Sequence, residues 1–162
     1  MTKWFLAAAT FALFAFMSPA QANSGVVAVY DASADDLWAL VDFHQPSENI
    51  MPPIEKSTRN GEGLGATKIN SLAGGGGEVH LLLVYYEPEA HAFNYVIQSG
   101  PLPVKNYVGE VRVTDLGDGQ AQLSWQGTYE PNGVPQAQAD EILGGFYAAI
   151  VDKIGETFTR VK

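Results

Sequence analysis

Residues Gln136 to Phe158 read QAQADEILGGFYAAIVDKIGETF, and the period of this stretch decides the fold. Ile142, Leu143, Phe146, Tyr147, Ile150, Ile154 and Phe158 recur at three- and four-residue intervals, while Asp140, Glu141, Asp152, Lys153 and Glu156 take the other side. Such a segment is a long amphipathic helix with one face to bury. Gly144 and Gly145 in its interior each cost about 1 kcal/mol relative to Ala, so a close neighbour or a bend is expected there.

Upstream of the helix the period is two. Strands are expected at about 54–60, 66–73, 78–87, 92–99, 104–115 and 120–129, broken by Gly61 to Gly65, Gly74 to Gly77, Pro88 to His91, Gly100 to Pro103 and Gly117 to Gly119. Connections this short imply an antiparallel meander. Before them, Val26 to Asp31 reads as a first strand. Ser33 caps a helix from about Ala34 to Asp42 that places Leu37, Trp38 and Val41 on one face. Gln45 to Pro53 contains three prolines and holds at most a short helical turn. The order is strand, helix, short turn, six strands, long helix. That is one α+β domain, with no internal repeat or linker.

The first 22 residues stand apart from this pattern. Lys3 precedes the apolar run Trp4 to Met17, which ends in Ser18, Pro19 and the small-x-small triplet Ala20-Gln21-Ala22. This is the pattern of a Sec-type secretory signal peptide, with cleavage expected after Ala22. The run is too short to span a bilayer, so no membrane anchor is expected after cleavage. Removing 22 of the 162 residues, Lys3 among them, leaves 140 with 8 cations against 18 anions, a formal charge of -10. A bacterial periplasmic or secreted domain is expected, since a small eukaryotic secreted domain would usually carry disulfides.

Composition excludes several function classes. A chain with 9 Lys+Arg against 18 Asp+Glu lacks the clustered cations that nucleic acid or an anionic membrane surface would require. The absence of Cys removes a disulfide scaffold, a thiolate zinc site and a cysteine nucleophile together. His44, His80 and His91 show no metal-ligand spacing, so neither metal nor cofactor is expected. The glycine clusters do not lie between a strand and a helix start, and no Gly-Lys-Ser/Thr follows, so they are hairpin connections rather than phosphate loops. There is no Gly-x-Ser-x-Gly elbow. Glu110 and Arg112 share a strand face with Asn106 and Val108, expected to be the solvated one.

Four segments carry a resemblance. Leu37 to Phe43, Gly63 to Ala66, Ser99 to Tyr107 (SGPLPVKNY) and Leu123 to Tyr129 (LSWQGTY) resemble, in order, the SRPBCC superfamily of START-like, birch-pollen-allergen-like proteins. Within it the chain is most similar to the polyketide cyclase/dehydrase type, and to small periplasmic members found alongside methanol dehydrogenases. The resemblance implies a helix-grip fold: a curved antiparallel sheet of about seven strands wraps the C-terminal helix, leaving an apolar cavity. One or two short helices follow strand 1. The chain departs from relatives in His80 to Tyr85, where they often carry an acidic residue, and at Met51-Pro52-Pro53, where they carry an aromatic-His-Pro segment. Both changes make the region less polar.

Strand alternation then nominates the cavity wall. Trp38, Leu83, Tyr85, Tyr95, Ile97, Tyr107, Trp125, Tyr129, Phe146 and Ile150 are the expected lining residues, serving as core and as wall at once. Pro101 and Pro103 would stiffen the rim. His80 alternates with Leu82, Val84 and Tyr86, whereas Val79, Leu81, Leu83 and Tyr85 occupy the opposite face. His80 is a candidate acid or base if its face is the cavity face, and the sequence does not choose. Two functions from different classes follow. One is an exported carrier or accessory protein for a small apolar or amphipathic ligand, its acidic surface suited to a basic periplasmic partner. The other is a cyclase- or dehydratase-like enzyme using acid/base groups in the cavity.

Overall fold

The structure is a computed structural model and describes residues 22–161. Strand β1 (Ala22–Tyr30) leads into helix α1 (Ala34–Val41) and a 3-10 turn over Ser47–Asn49. Six strands follow: β2 (Ile54–Asn60), β3 (Thr67–Leu72), β4 (Glu78–Glu87), β5 (Ala92–Ser99), β6 (Val104–Gly117) and β7 (Gln120–Pro131). Helix α2 (Gln136–Ile154) closes the order. All neighbours pair antiparallel in a single sheet ordered β1-β7-β6-β5-β4-β3-β2, so the meander is closed by β1 returning to β7. This curved sheet gripping α2 is a helix-grip α+β fold.

Local chemistry accounts for the elements. The Ser33 hydroxyl accepts the Asp36 N–H at 3.1 Å, and Asp35 and Asp36 face the positive end of α1. Leu37, Trp38 and Val41 are its buried face, as the spacing predicts. On α2 the buried positions are Ala139, Leu143, Tyr147, Ile150, Val151 and Ile154. Phe158 packs on the core from the turn beyond Gly155 rather than from the helix itself. Tyr30, Leu37, Leu123 and Ile154 are completely enclosed, and the Tyr30 hydroxyl donates to the Val151 carbonyl at 3.0 Å, tying β1 to α2.

Three expectations are corrected. The first strand begins at Ala22 rather than Val26, because pairing with β7 extends from Ala22–Tyr129 to Tyr30–Ala121 whatever the local β-propensity. Second, the close neighbour offered as one of two reasons for Gly144 and Gly145 is absent among the described residues: a Cβ built on either meets nothing within 4 Å. Third, β4 does not keep one alternation from end to end. A β-bulge between Leu83 and Tyr85 inserts a residue and reverses the facing beyond it. The expected leader lies outside the described residues except for Ala22.

Candidate functional site

Between the sheet, α2 and the connection after α1 lies a cavity of about 90 Å³, several times the roughly 15 Å³ that one water requires. Most of its wall is apolar. Leu81 comes from β4, Phe93 and Ile97 from β5, Phe146 and Ile150 from α2, and Met51 from the proline-rich connection. A groove on the sheet shares Ile97, Leu102 and Tyr107 with the cavity, at the place where β5–β6 pairing stops at Val96–Val108.

One polar wall is built from tyrosines. The Trp125 ring N–H donates to the Tyr95 hydroxyl at 3.2 Å; Tyr95 and Tyr107 hydroxyls are 3.2 Å apart, and Tyr107 and Tyr147 hydroxyls 2.7 Å. Glycines make this possible. Tyr95 pairs with Gly109, and Gly109 with Gly127, across three strands. A Cβ on Gly109 would lie 2.3 Å from the Tyr95 ring, and one on Gly127 would lie 2.4 Å from the Tyr147 hydroxyl. The bare backbone is therefore the floor on which the rings lie. Burial raises the pKa of all three hydroxyls, strongly for Tyr107 and Tyr147, so they act as hydrogen-bond donors and acceptors and not as bases.

The facing polar wall is β3. Lys68, only 5% exposed, donates from Nζ to the Gln45 carbonyl at 2.7 Å and the Ser47 hydroxyl at 3.2 Å, and lies 4.7 Å from the centre of the Phe43 ring. Burial lowers its pKa to about 8, against the opposing pull of Asp42 and Glu48. Asn70, 3% exposed, also lines the cavity, and its Oδ1 has no hydrogen-bond partner among the described residues. Asp42 is already engaged: its carboxylate accepts from the His44 backbone N–H, the His44 ring Nδ1 and the Tyr86 hydroxyl. With Nδ1–H donated, the Nε2 of His44 accepts the Gly63 N–H at 3.0 Å, so this histidine clips the β2–β3 turn onto the end of α1.

The expected lining residues divide. Tyr95, Ile97, Tyr107, Trp125, Phe146 and Ile150 line the cavity; Trp38, Leu83, Tyr85 and Tyr129 do not. Trp38 is occupied with the rings of Tyr86, His91 and Phe93, at 6.4, 5.5 and 5.9 Å. Leu83 is buried where the β4 backbone bonds Gly65 and Ala66. Tyr85 is turned out by the bulge, 39% exposed, with its hydroxyl on the Glu87 carboxylate, and Tyr86 takes the inward place. Tyr129 stacks behind Tyr107 and donates to Asp140. His80 is corrected too: its side chain is 40% exposed on the outer face, 3.5 Å from Glu78, so it cannot act as an acid or base inside the cavity. Glu110 and Arg112 are exposed as expected. Among the described residues no group of three or more metal-ligating side chains exists.

The profile of the family described as "Polyketide cyclase / dehydrase and lipid transport" matches residues 23–159. The chain belongs to this family. Similar solved structures include XoxI from Bacillus cereus, with TM-score 0.77 and 20% identity over 85% of this chain and 95% of that one. The Zhui aromatase/cyclase from Streptomyces sp. R1128 has TM-score 0.67 and 17% identity, covering 85% and 96%. Norcoclaurine synthase from Thalictrum flavum, solved in complex with dopamine and hydroxybenzaldehyde, has TM-score 0.65 and 18% identity, covering 96% of each chain. At these identities the likeness is one of fold. No curated protein matches the chain at a significant level.

Leu81, Phe93 and Tyr147 join the lining beyond the expected set, and Lys68 and Asn70 are the polar strand residues that the pattern missed in this family member. In Thr67 to Leu72 the polar Lys and Asn alternate with Ile69, which reads as an outward polar face. The usable signal was the register: Lys68 pairs with Leu81 and Asn70 with Val79, and directly paired residues point to the same side of a sheet.

Proposed function

We propose that the protein is an exported binding or accessory protein that holds one small apolar or amphipathic molecule between the sheet and α2. The observation that carries this reading is the cavity itself, an apolar chamber with a few fixed polar groups, the ordinary composition of a small-molecule site. His80 points outward, Asp42 is engaged by His44 and Tyr86, and Lys68 is held by Gln45 and Ser47, which favours binding over acid/base turnover. Export rests on the leader pattern, and the formal charge of -10 after cleavage suits a basic partner in the same compartment. A dehydrogenase of the kind found beside similar periplasmic proteins is such a partner.

Native mass spectrometry of protein purified from its own host is expected to show a chain beginning after Ala22 with one small molecule retained. A chain that carries none, and takes up none from a panel of lipids and quinones, contradicts the reading. Partner association should weaken between low and high salt; unchanged binding would remove the docking part alone.

A further inference from the structure

Among the polar groups of the cavity, a tyrosine O–H and an amide oxygen are left without partners among the described residues. On the tyrosine wall there are four donors, the Trp125 N–H and three O–H groups, joined by three hydrogen bonds. The indole nitrogen can only donate. Whichever way the hydroxyls turn, one O–H proton is left without an acceptor in the chain. On the β3 wall the Asn70 Oδ1 is a buried acceptor without a donor among the described residues. Leaving a buried polar group unpaired is costly, so each is a standing demand on whatever fills the cavity. β3 and β6 are three strand spacings apart, about 14 Å at the backbone, so the two demands belong to different walls.

Lys68 shares the β3 wall with Asn70: two of its three N–H groups are committed to Gln45 and Ser47, and it lies against the Phe43 ring.

We infer that the cavity selects a molecule, one ring in size, that carries a hydroxyl or N–H donor for Asn70 on one side and a carbonyl-type acceptor for the tyrosine hydroxyls on the other. The inference rests on the reading of the cavity as a ligand site and narrows its ligand.

Calorimetric titration of the full exported chain with three single-ring probes tests it. 4′-Hydroxyacetophenone has both groups; 4′-methylacetophenone lacks the donor and p-cresol lacks the acceptor. 4′-Hydroxyacetophenone is expected to bind at least about ten-fold more tightly than each of the others, because a site built to hydrogen-bond a group rejects the analogue lacking it. In Asn70→Leu, the preference over 4′-methylacetophenone should fall below about three-fold, while the preference over p-cresol stays. Equal binding of the hydroxy and methyl ketones by the unaltered chain overturns the inference and leaves the carrier reading intact. If none of the three binds, the inference fails, and the lipid and quinone panel then decides whether the carrier reading fails with it. The probe series on the unaltered chain decides between these outcomes even if the variant does not fold.

Discussion

Strands β3 and β4 lie side by side in one sheet and treat the cavity face in opposite ways. β4 turns Val79, Leu81 and Leu83 inward and His80 outward, the ordinary alternation of a half-buried strand. β3 turns Lys68 and Asn70 inward and leaves Thr67, Ile69 and Ser71 on the outer side. Apolar burial is the main favourable term in folding, and buried polar groups are costly. β4 therefore serves the fold, and β3 spends part of that stability on a surface able to recognise something. The register of their pairing enforces the division, since Lys68 and Asn70 sit opposite Leu81 and Val79.

Substitutions along the two strands can break or sharpen this contrast. The largest effect is expected in β4: Leu83→Ala, at a position 1% exposed, should lower unfolding free energy by roughly 3–4 kcal/mol in urea denaturation, and a loss below about 1 would erase the contrast.

Lys68 comes next, and its signature is pH. Its folded-state pKa of about 8 is below the ordinary 10.5, so between those values the unfolded chain holds the proton more strongly than the folded one. Stability must then rise with pH across that window and stay flat with respect to this group below about pH 8. Relative to Lys68→Met, the unaltered chain should gain up to about 3 kcal/mol between pH 8 and 10.5. Parallel melts showing a constant gap would mean the amine titrates normally.

Asn70→Leu should stabilise the protein by about 1 kcal/mol, because it removes an acceptor that has no partner. A destabilised variant would show that the amide is structural. The smallest effect belongs to the outward side of β4, where His80→Ala should change stability by less than about 0.5 kcal/mol and leave probe binding untouched. A loss of binding there would return His80 to the site.

These same strands mark how far the sequence is readable. The limits of β2 to β5, α1 with its Ser33 cap and the onset of α2 at Gln136 were legible because turn residues and period are local properties. Tyr95, Tyr107 and Trp125 were legible as cavity residues because large aromatics on an inward face have few other fates. Lys68 and Asn70 were not, since the facing of Thr67 to Leu72 is set by β4 and the polar pattern argues for the reverse. Tyr85 escaped for a related reason: a bulge is one extra residue in a ladder, and single-strand alternation carries no trace of it. The pairing of Gly109 with Gly127 is equally silent until the rings above them are placed.

The pairing of β1 with β7 also sets the order in which the chain can finish folding. Ala22 meets Tyr129 and Tyr30 meets Ala121, so the earliest strand waits for the latest one. Contacts between such distant residues slow folding because a long loop must close before they form. The hairpin of β6 and β7 needs only the short Asp118-Gly119 turn and can form at once. Synthesised or threaded through a pore from its N-terminus, the chain cannot seal its sheet until Pro131 has emerged, and until then β1 stays available to whatever holds an unfolded chain in transit.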